Sequence, residues 1–152
     1  MTTLGNTKLM DSHKIGYFAS SKIASLSVLP TLDWAAEIAK REDIAVVSGF
    51  HSKMEREVLD HLLRGRCGII CVLARSIYKK VPTKFKEAFS QNRLLFISFE
   101  KNADVIRTGK SSALSRNKHI ATLSDEIVVS SVTPESSLYP IIQTSTKTIK
   151  YL

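Results

Sequence analysis

Long apolar runs are missing from this sequence. None approaches the ~20 residues that a membrane-spanning helix requires, so no membrane partner is expected. The polar opening, Met1 to Lys14, also lacks the apolar stretch of a secretory signal. Residues 1–13 therefore read as a flexible leader, and residues 14–152 as a single cytoplasmic domain. Cysteine is scarce: Cys67 and Cys71 are the two present. Four apart on a strand, they would share a face about 13 Å from each other, beyond disulfide reach. A metal site would need two more ligands close by, and none stands there. The two thiols read as small core residues. Glycine is scarce as well, and none of the six forms Gly-x-Gly-x-x-Gly or a Walker loop. That argues against a conventional dinucleotide dehydrogenase and a P-loop ATPase. His-Glu-x-x-His and Gly-x-Ser-x-Gly are absent too. Glu55 and Glu57 would point apart on a helix, which gives a paired-carboxylate mechanism no support. Neither a metal nor a cofactor is expected.

What is present is the balance of a globular chain, with 43% apolar and 24% charged residues over a length that can bury a core. Apolar stretches without alternation mark strands covered on both faces. They run over residues 14–20, 44–48, 68–73, 94–98 and 126–130, and residues 147–152 favour a final edge strand. Between them the periodicity predicts helices. Pro30 to Arg41 carries Leu32, Ala35, Ala36, Ile38 and Ala39 on its buried side, with Pro30 in the first turn. Ser52 and Glu55 form a Ser-x-x-Glu capping box for the next helix, which Gly65 can end. Pro82 to Ser90 and Lys110 to Leu123 follow, the latter starting near Ser112 or Ser115. A short helix is expected within Pro134 to Gln143. This alternation implies an α/β, three-layer Rossmann-like fold. Its sheet is mostly parallel, with five to six strands and helices on both faces.

The net charge of +8 is clustered at Arg75, Lys79, Lys80, Lys84 and Lys86, and again at Lys101, Arg107, Lys110, Arg116 and Lys118. Such clusters either attract phosphate polymers or simply keep a surface solvated. Ligands of open α/β sheets bind beyond the carboxyl ends of the strands. The loops expected there are Ala19 to Leu26, Gly49 to Lys53, Arg75 to Pro82, Phe99 to Ser115 and Ser131 to Ser137. Within Ser48-Gly-Phe-His-Ser52, Gly49 permits a tight bend or a close approach to a ligand. The helix after Ser52 offers free amides to a phosphate. A cap explains Ser52 but leaves His51 open, and Phe50 should pack inward. In Ser115-Arg-Asn-Lys-His119, Arg116 could grip a phosphate and Asn117 bond a base or sugar, or the stretch could be an exposed first turn.

Ile44-Ala-Val-Val-Ser-Gly49, the 68–73 strand and Ser115-Arg-Asn-Lys-His-Ile-Ala-Thr-Leu-Ser-Asp-Glu-Ile-Val-Val129 together resemble the Rossmann-like domain of the DNA-processing protein A (DprA/Smf) family. That family belongs to the SMF/LOG (SLOG) superfamily. The resemblance implies a pocket for single-stranded DNA and phosphate at Ser20, Ser21 and Lys22, at Ser48 and Gly49, and at Arg116 and Asn117, with a role in DNA recombination. His51, Ser52 and Arg75 join these as candidate contacts because they share the expected rim. Departures stand beside the likeness. The family's Gly-Ser/Thr-Arg turn is Ala-Ser-Ser-Lys here, and its Ser-Gly-x-Ala-x-Gly-Ile-Asp turn is Ser-Gly-Phe-His-Ser-Lys-Met-Glu. The Pro-Gly-Gly-x-Gly-Thr-x-x-Glu motif of the related Lonely Guy hydrolases is missing.

Three functions follow as expectations. The first is a non-catalytic binder of single-stranded DNA or a nucleotide, with Tyr78 and Phe99 available for stacking. The second is a nucleotide-processing hydrolase using His51 or Glu55. The third is a nucleotide-sensing interaction subunit. Edge strands leave a homodimer open.

Overall fold

The computed structural model describes residues 1–107 and 109–152. Thr108, inside the loop from Phe99 to Ser115, lies outside the described residues. The strands are β1 (Thr2–Gly5), β2 (His13–Ala19), β3 (Ile44–Ser48), β4 (Gly68–Leu73), β5 (Leu94–Ser98), β6 (Glu126–Ser130) and β7 (Ile149–Tyr151). The helices are α1 (Ser25–Ala39), α2 (Lys53–Leu63), α3 (Lys86–Ser90), α4 (Lys110–Leu123) and α5 (Leu138–Thr144). The strands form one sheet in the order β1-β5-β4-β3-β2-β6-β7, parallel except for β1. Both faces are covered. Tyr17, Val46, Ile69, Phe96 and Val128 meet Trp34 and Ile38 of α1, Val58, Leu59 and Leu62 of α2, and Ala88 of α3. Phe18, Val47, Ile70, Leu95, Ile127 and Val129 meet Ile120 of α4 and Leu138 and Ile142 of α5. Residues of both parities along each strand are buried, which is why no alternation marks the sequence. The architecture is the three-layer, mostly parallel α/β sheet that the sequence predicts.

Three local expectations are corrected. Residues 1–13 are not a loose leader: Thr2–Gly5 pairs antiparallel with β5, from Thr2 opposite Ser98 to Gly5 opposite Leu95. The count therefore rises to seven strands among the described residues. Leu4 is only partly exposed against the core, and Gly5, at φ 119°, turns the chain out of the strand. A pairing partner some ninety residues away leaves no local trace in so short a polar segment.

Helix α1 starts at Ser25, so Pro30 lies inside it and not in its first turn. The ring removes a single N–H on an exposed face, while Thr31, Trp34, Ala35 and Ile38 bury the opposite one. Ala36, expected inside, is exposed. Helix α4 begins at Lys110, ahead of Ser112 and Ser115, because the Ser112 hydroxyl and the Gly109 backbone close its first turn: Gly109 N–H donates to Ser112 Oγ at 2.8 Å. Arg116 and Asn117 thereby fall in mid-helix, buried, and not in an exposed first turn.

Beneath the carboxyl ends of β2 and β6 lies a buried polar knot. Tyr17 Oη donates to Ser130 Oγ (2.8 Å), and Thr31 Oγ1 lies 2.6 Å from the same oxygen. Tyr17 also stacks on Trp34, with ring centroids 5.1 Å apart.

Burial pushes the Cys67 thiol up to about 11 and the Cys71 thiol up to about 12, and raises the Tyr17 phenol as well. A group whose folded pKa is raised gives its full stabilisation below its unfolded value and loses it as pH rises toward the folded one. The urea midpoint should hold steady to about pH 8.5 and fall above about pH 9. The double variant Cys67→Ala, Cys71→Ala should delay that fall toward about pH 10, where Tyr17 takes over. A midpoint flat through pH 11 would contradict this. Deleting residues 1–6 should lower stability by about 1–3 kcal/mol, the range of a lost packing element; a truncated chain as stable as the intact one would restore the loose leader.

Candidate functional site

The chain runs outward from β2 through β3, β4 and β5, then returns to place β6 on the other side of β2. That reversal is the switch point where open α/β sheets form a crevice at their carboxyl ends. A cleft of about 520 Å³ lies there. It collects Ser20, Ser21 and Lys22 from the loop after β2, His51 and Ser52 from the loop after β3, and Arg116 and Asn117 from α4. Seven of the ten candidate residues thus meet in one concavity. The loop after β6 completes it with Thr133, Glu135, Ser136 and Ser137, which were not among the candidates.

Ser48, Gly49 and Arg75 are placed otherwise. Ser48 is fully buried, and its Oγ accepts the Phe50 N–H at 3.2 Å. Gly49 lies directly under Arg116: a Cβ built there would come within 2.6 Å of Nε and 2.8 Å of Cδ and Cζ. The close approach expected at this glycine is therefore made by a side chain of the same molecule. The tight bend belongs to the next residue, since Phe50 is buried with a left-handed φ of 49°. Such a conformation costs a bulky residue roughly 1–2 kcal/mol and persists where the surroundings over-determine it. Arg75 stays outside the cleft, its guanidinium 4.5 Å from the centroid of Tyr78. Tyr78 in turn packs edge-on against Phe96. Lys84, of the same basic cluster, lies outside the cleft: with Arg64 and Arg93 it lines a hollow beside Gly65, at the amino ends of the strands, and it pairs with Asp60 at 3.8 Å.

Glu55 organises the cleft. It caps α2 as the sequence predicts, with Ser52 Oγ accepting the Glu55 N–H (3.3 Å). Its buried carboxylate does more than close the box. Oε1 accepts the N–H groups of His51 (2.9 Å) and Ser52 (3.1 Å), while Oε2 accepts the N–H of Ala19 (3.1 Å). One side chain therefore ties the end of β2 to the turn after β3. Both oxygens are occupied by backbone donors, which leaves Glu55 poorly suited to act as an acid or a base.

Arg116 is 7% exposed, and Asn117 is 9% exposed beside it. Arg116 Nε–H donates to Asn117 Oδ1 at 3.2 Å. No carboxylate lies within ion-pair distance of this guanidinium among the described residues. Burial pulls its pKa down from the ordinary value, and the Glu55 carboxylate offsets part of that at longer range. A buried cation without a carboxylate partner is costly, and this one lines the cleft. Lys22 adds an exposed cation at the same rim; Glu135, also exposed there, opposes it.

The sequence matches no protein-family model and no curated protein. Its fold is that of DNA processing protein A. The Helicobacter pylori protein, described for its single-stranded DNA binding mode, superposes with a TM-score of 0.74 at 22% identity, over 98% of this chain and 69% of that one. The Streptococcus pneumoniae protein gives 0.74 at 15% identity, over 98% of this chain and 53% of its own length. This chain thus spans about half of the latter.

Gly49→Ala separates the cleft from the fold. The atoms that its methyl would strike are the far end of a flexible side chain, so the guanidinium should swing away while the sheet survives. The melting temperature should change by less than about 3 °C, an amount within about 1 kcal/mol. Pyrophosphate binding, followed by calorimetry, should weaken at least tenfold. Unchanged pyrophosphate affinity would refute the contact's role.

Proposed function

We propose that the cleft binds the phosphate backbone of single-stranded DNA, or the phosphates of a nucleotide, without catalysing a reaction on it. The observation that carries this reading is Arg116: a buried guanidinium with no carboxylate in ion-pair distance among the described residues, bonded to Asn117 and lining a hollow of hydroxyls and Lys22. A phosphate supplies the missing negative charge, and the planar fork suits two of its oxygens. Ser20, Ser21, Ser52 and Ser136 are neutral donors at the same wall. They hold a phosphate without fixing which base follows it. The shared fold, and the single-stranded DNA binding of the H. pylori protein, favour DNA over a free nucleotide.

A hydrolytic function is the weaker reading. Of its two candidate groups, Glu55 is committed to three backbone N–H bonds, and His51 would have to work alone. The reading also takes the chain as a DprA/Smf-like member of the SMF/LOG superfamily with a part in DNA recombination.

Binding of a short oligonucleotide, followed by anisotropy, should fall linearly on a log–log plot as salt rises, with a slope near −0.7 for each phosphate neutralised. Arg116→Ala should abolish binding at about 0.1 M salt. Arg116→Lys keeps the charge but loses the fork, and should still weaken binding about tenfold. Lys22→Ala should flatten the slope by about 0.7, and Glu135→Gln should tighten binding modestly. Salt-independent binding, or full affinity in Arg116→Ala, would refute the phosphate reading.

A further inference from the structure

A second, smaller cavity of about 200 Å³ opens on the other side of Arg116, at the carboxyl ends of β4 and β5. Its floor is Leu73 and Ala74, both buried. Helix α4 lies against both cavities and sends different residues into each. Ala113, Arg116 and Asn117 enter the larger cleft, while Ser112, Ser115, Arg116 and His119 line the smaller one. Arg116 is the ridge they share.

The smaller cavity has the wrong charge for a second phosphate. It contains the half-buried Glu100, whose Oε1 accepts the Asn102 N–H (3.0 Å). Its distinctive feature is aromatic. Phe99 and His119 stack almost parallel, with centroids 3.6 Å apart and planes inclined by 6°. Phe99 directly follows β5 and His119 sits in the third turn of α4, so this two-ring stack is built from separate elements. A planar plate, an apolar floor, serine hydroxyls and one carboxylate acceptor describe a site for a flat heterocycle with polar edges.

Resting on the phosphate reading above, we propose that this cavity receives one nucleobase of the bound strand, next to the phosphate held by Arg116, and prefers a base that bears an amino group. The base extends the Phe99–His119 stack, an interaction open to every base through its π-face. Selectivity comes from Glu100, which accepts a hydrogen bond from the amine that cytosine and adenine present at one edge. Thymine presents a carbonyl at the equivalent edge and meets that carboxylate unfavourably. The serine hydroxyls can either donate or accept and so do not discriminate.

The test uses the full chain and labelled homo-oligomers of deoxycytidine, deoxyadenosine and thymidine, with an abasic oligomer of equal length. Anisotropy at low salt should rank the cytosine and adenine oligomers above the thymine one, with the abasic oligomer weakest. Phe99→Ala and His119→Ala should weaken the cytosine oligomer about tenfold and leave the abasic oligomer unaffected. His119→Phe keeps a flat ring and should retain the affinity. Glu100→Gln should shrink the difference between cytosine and thymine. If either alanine variant melts early, Ser115→Phe serves instead, because it plugs the cavity from an exposed position and should cause the same loss. A wild-type protein that binds abasic and base-bearing oligomers equally, or variants that bind cytosine as tightly as wild type, would overturn the base cavity while leaving the phosphate cleft standing. Thymine bound more tightly than cytosine would overturn the role of Glu100. Failure of every oligomer to bind wild type at low salt would instead overturn the phosphate reading itself.

Discussion

The guanidinium of Arg116 rests on the bare backbone of Gly49, and the features of the carboxyl rim depend on that contact. A charge this deeply buried costs several kcal/mol unless something compensates it. The protein supplies only partial compensation: a hydrogen bond to Asn117 and the field of Glu55, whose carboxylate is already engaged by the backbone. The contact is possible because residue 49 has no side chain, and because Phe50 absorbs the bend in a left-handed conformation. What results is a cation fixed in place and short of an anion, at the mouth of a cleft. That is the condition for binding phosphate with little reorganisation.

The topology sets where this can happen. The chain builds half of the sheet outward from β2, then crosses back to lay β6 on the other side, and the crevice follows from the reversal. Glu55 fixes the crevice on one flank by joining Ala19 to the turn at His51 and Ser52. On the other flank, Ser131 takes a left-handed φ of 64° and its Oγ accepts the N–H of Ala24. Two of the three left-handed non-glycine residues among those described, Phe50 and Ser131, therefore lie on this rim. Strain gathers where loops must present groups to a ligand.

Features governed by local rules were legible in the sequence. The capping box of α2 needs only Ser52 and Glu55, three residues apart, and the buried strands declare themselves by apolar runs. Arg116 and Asn117 stood out as polar residues where the helix later turns apolar, although spacing alone did not say whether they were buried. Features that join distant segments were not legible. Strand β1 is short and polar and owes its existence to pairing with β5. The reach of Glu55 to Ala19 spans 36 positions, and nothing near either residue signals it. Phe99 and His119 find each other only because β5 ends beneath α4. Lys84 shares a charge cluster with Arg75 in the sequence, yet the fold places it at the opposite end of the sheet.

The most direct test of a buried Arg116 that lacks a carboxylate partner is its own side-chain Nε–Hε resonance, assigned by its disappearance in Arg116→Lys. That signal should be protected from solvent exchange and should shift as a short single-stranded oligonucleotide is added, saturating together with binding. A fast-exchanging signal, unmoved while the oligonucleotide binds elsewhere, would contradict it.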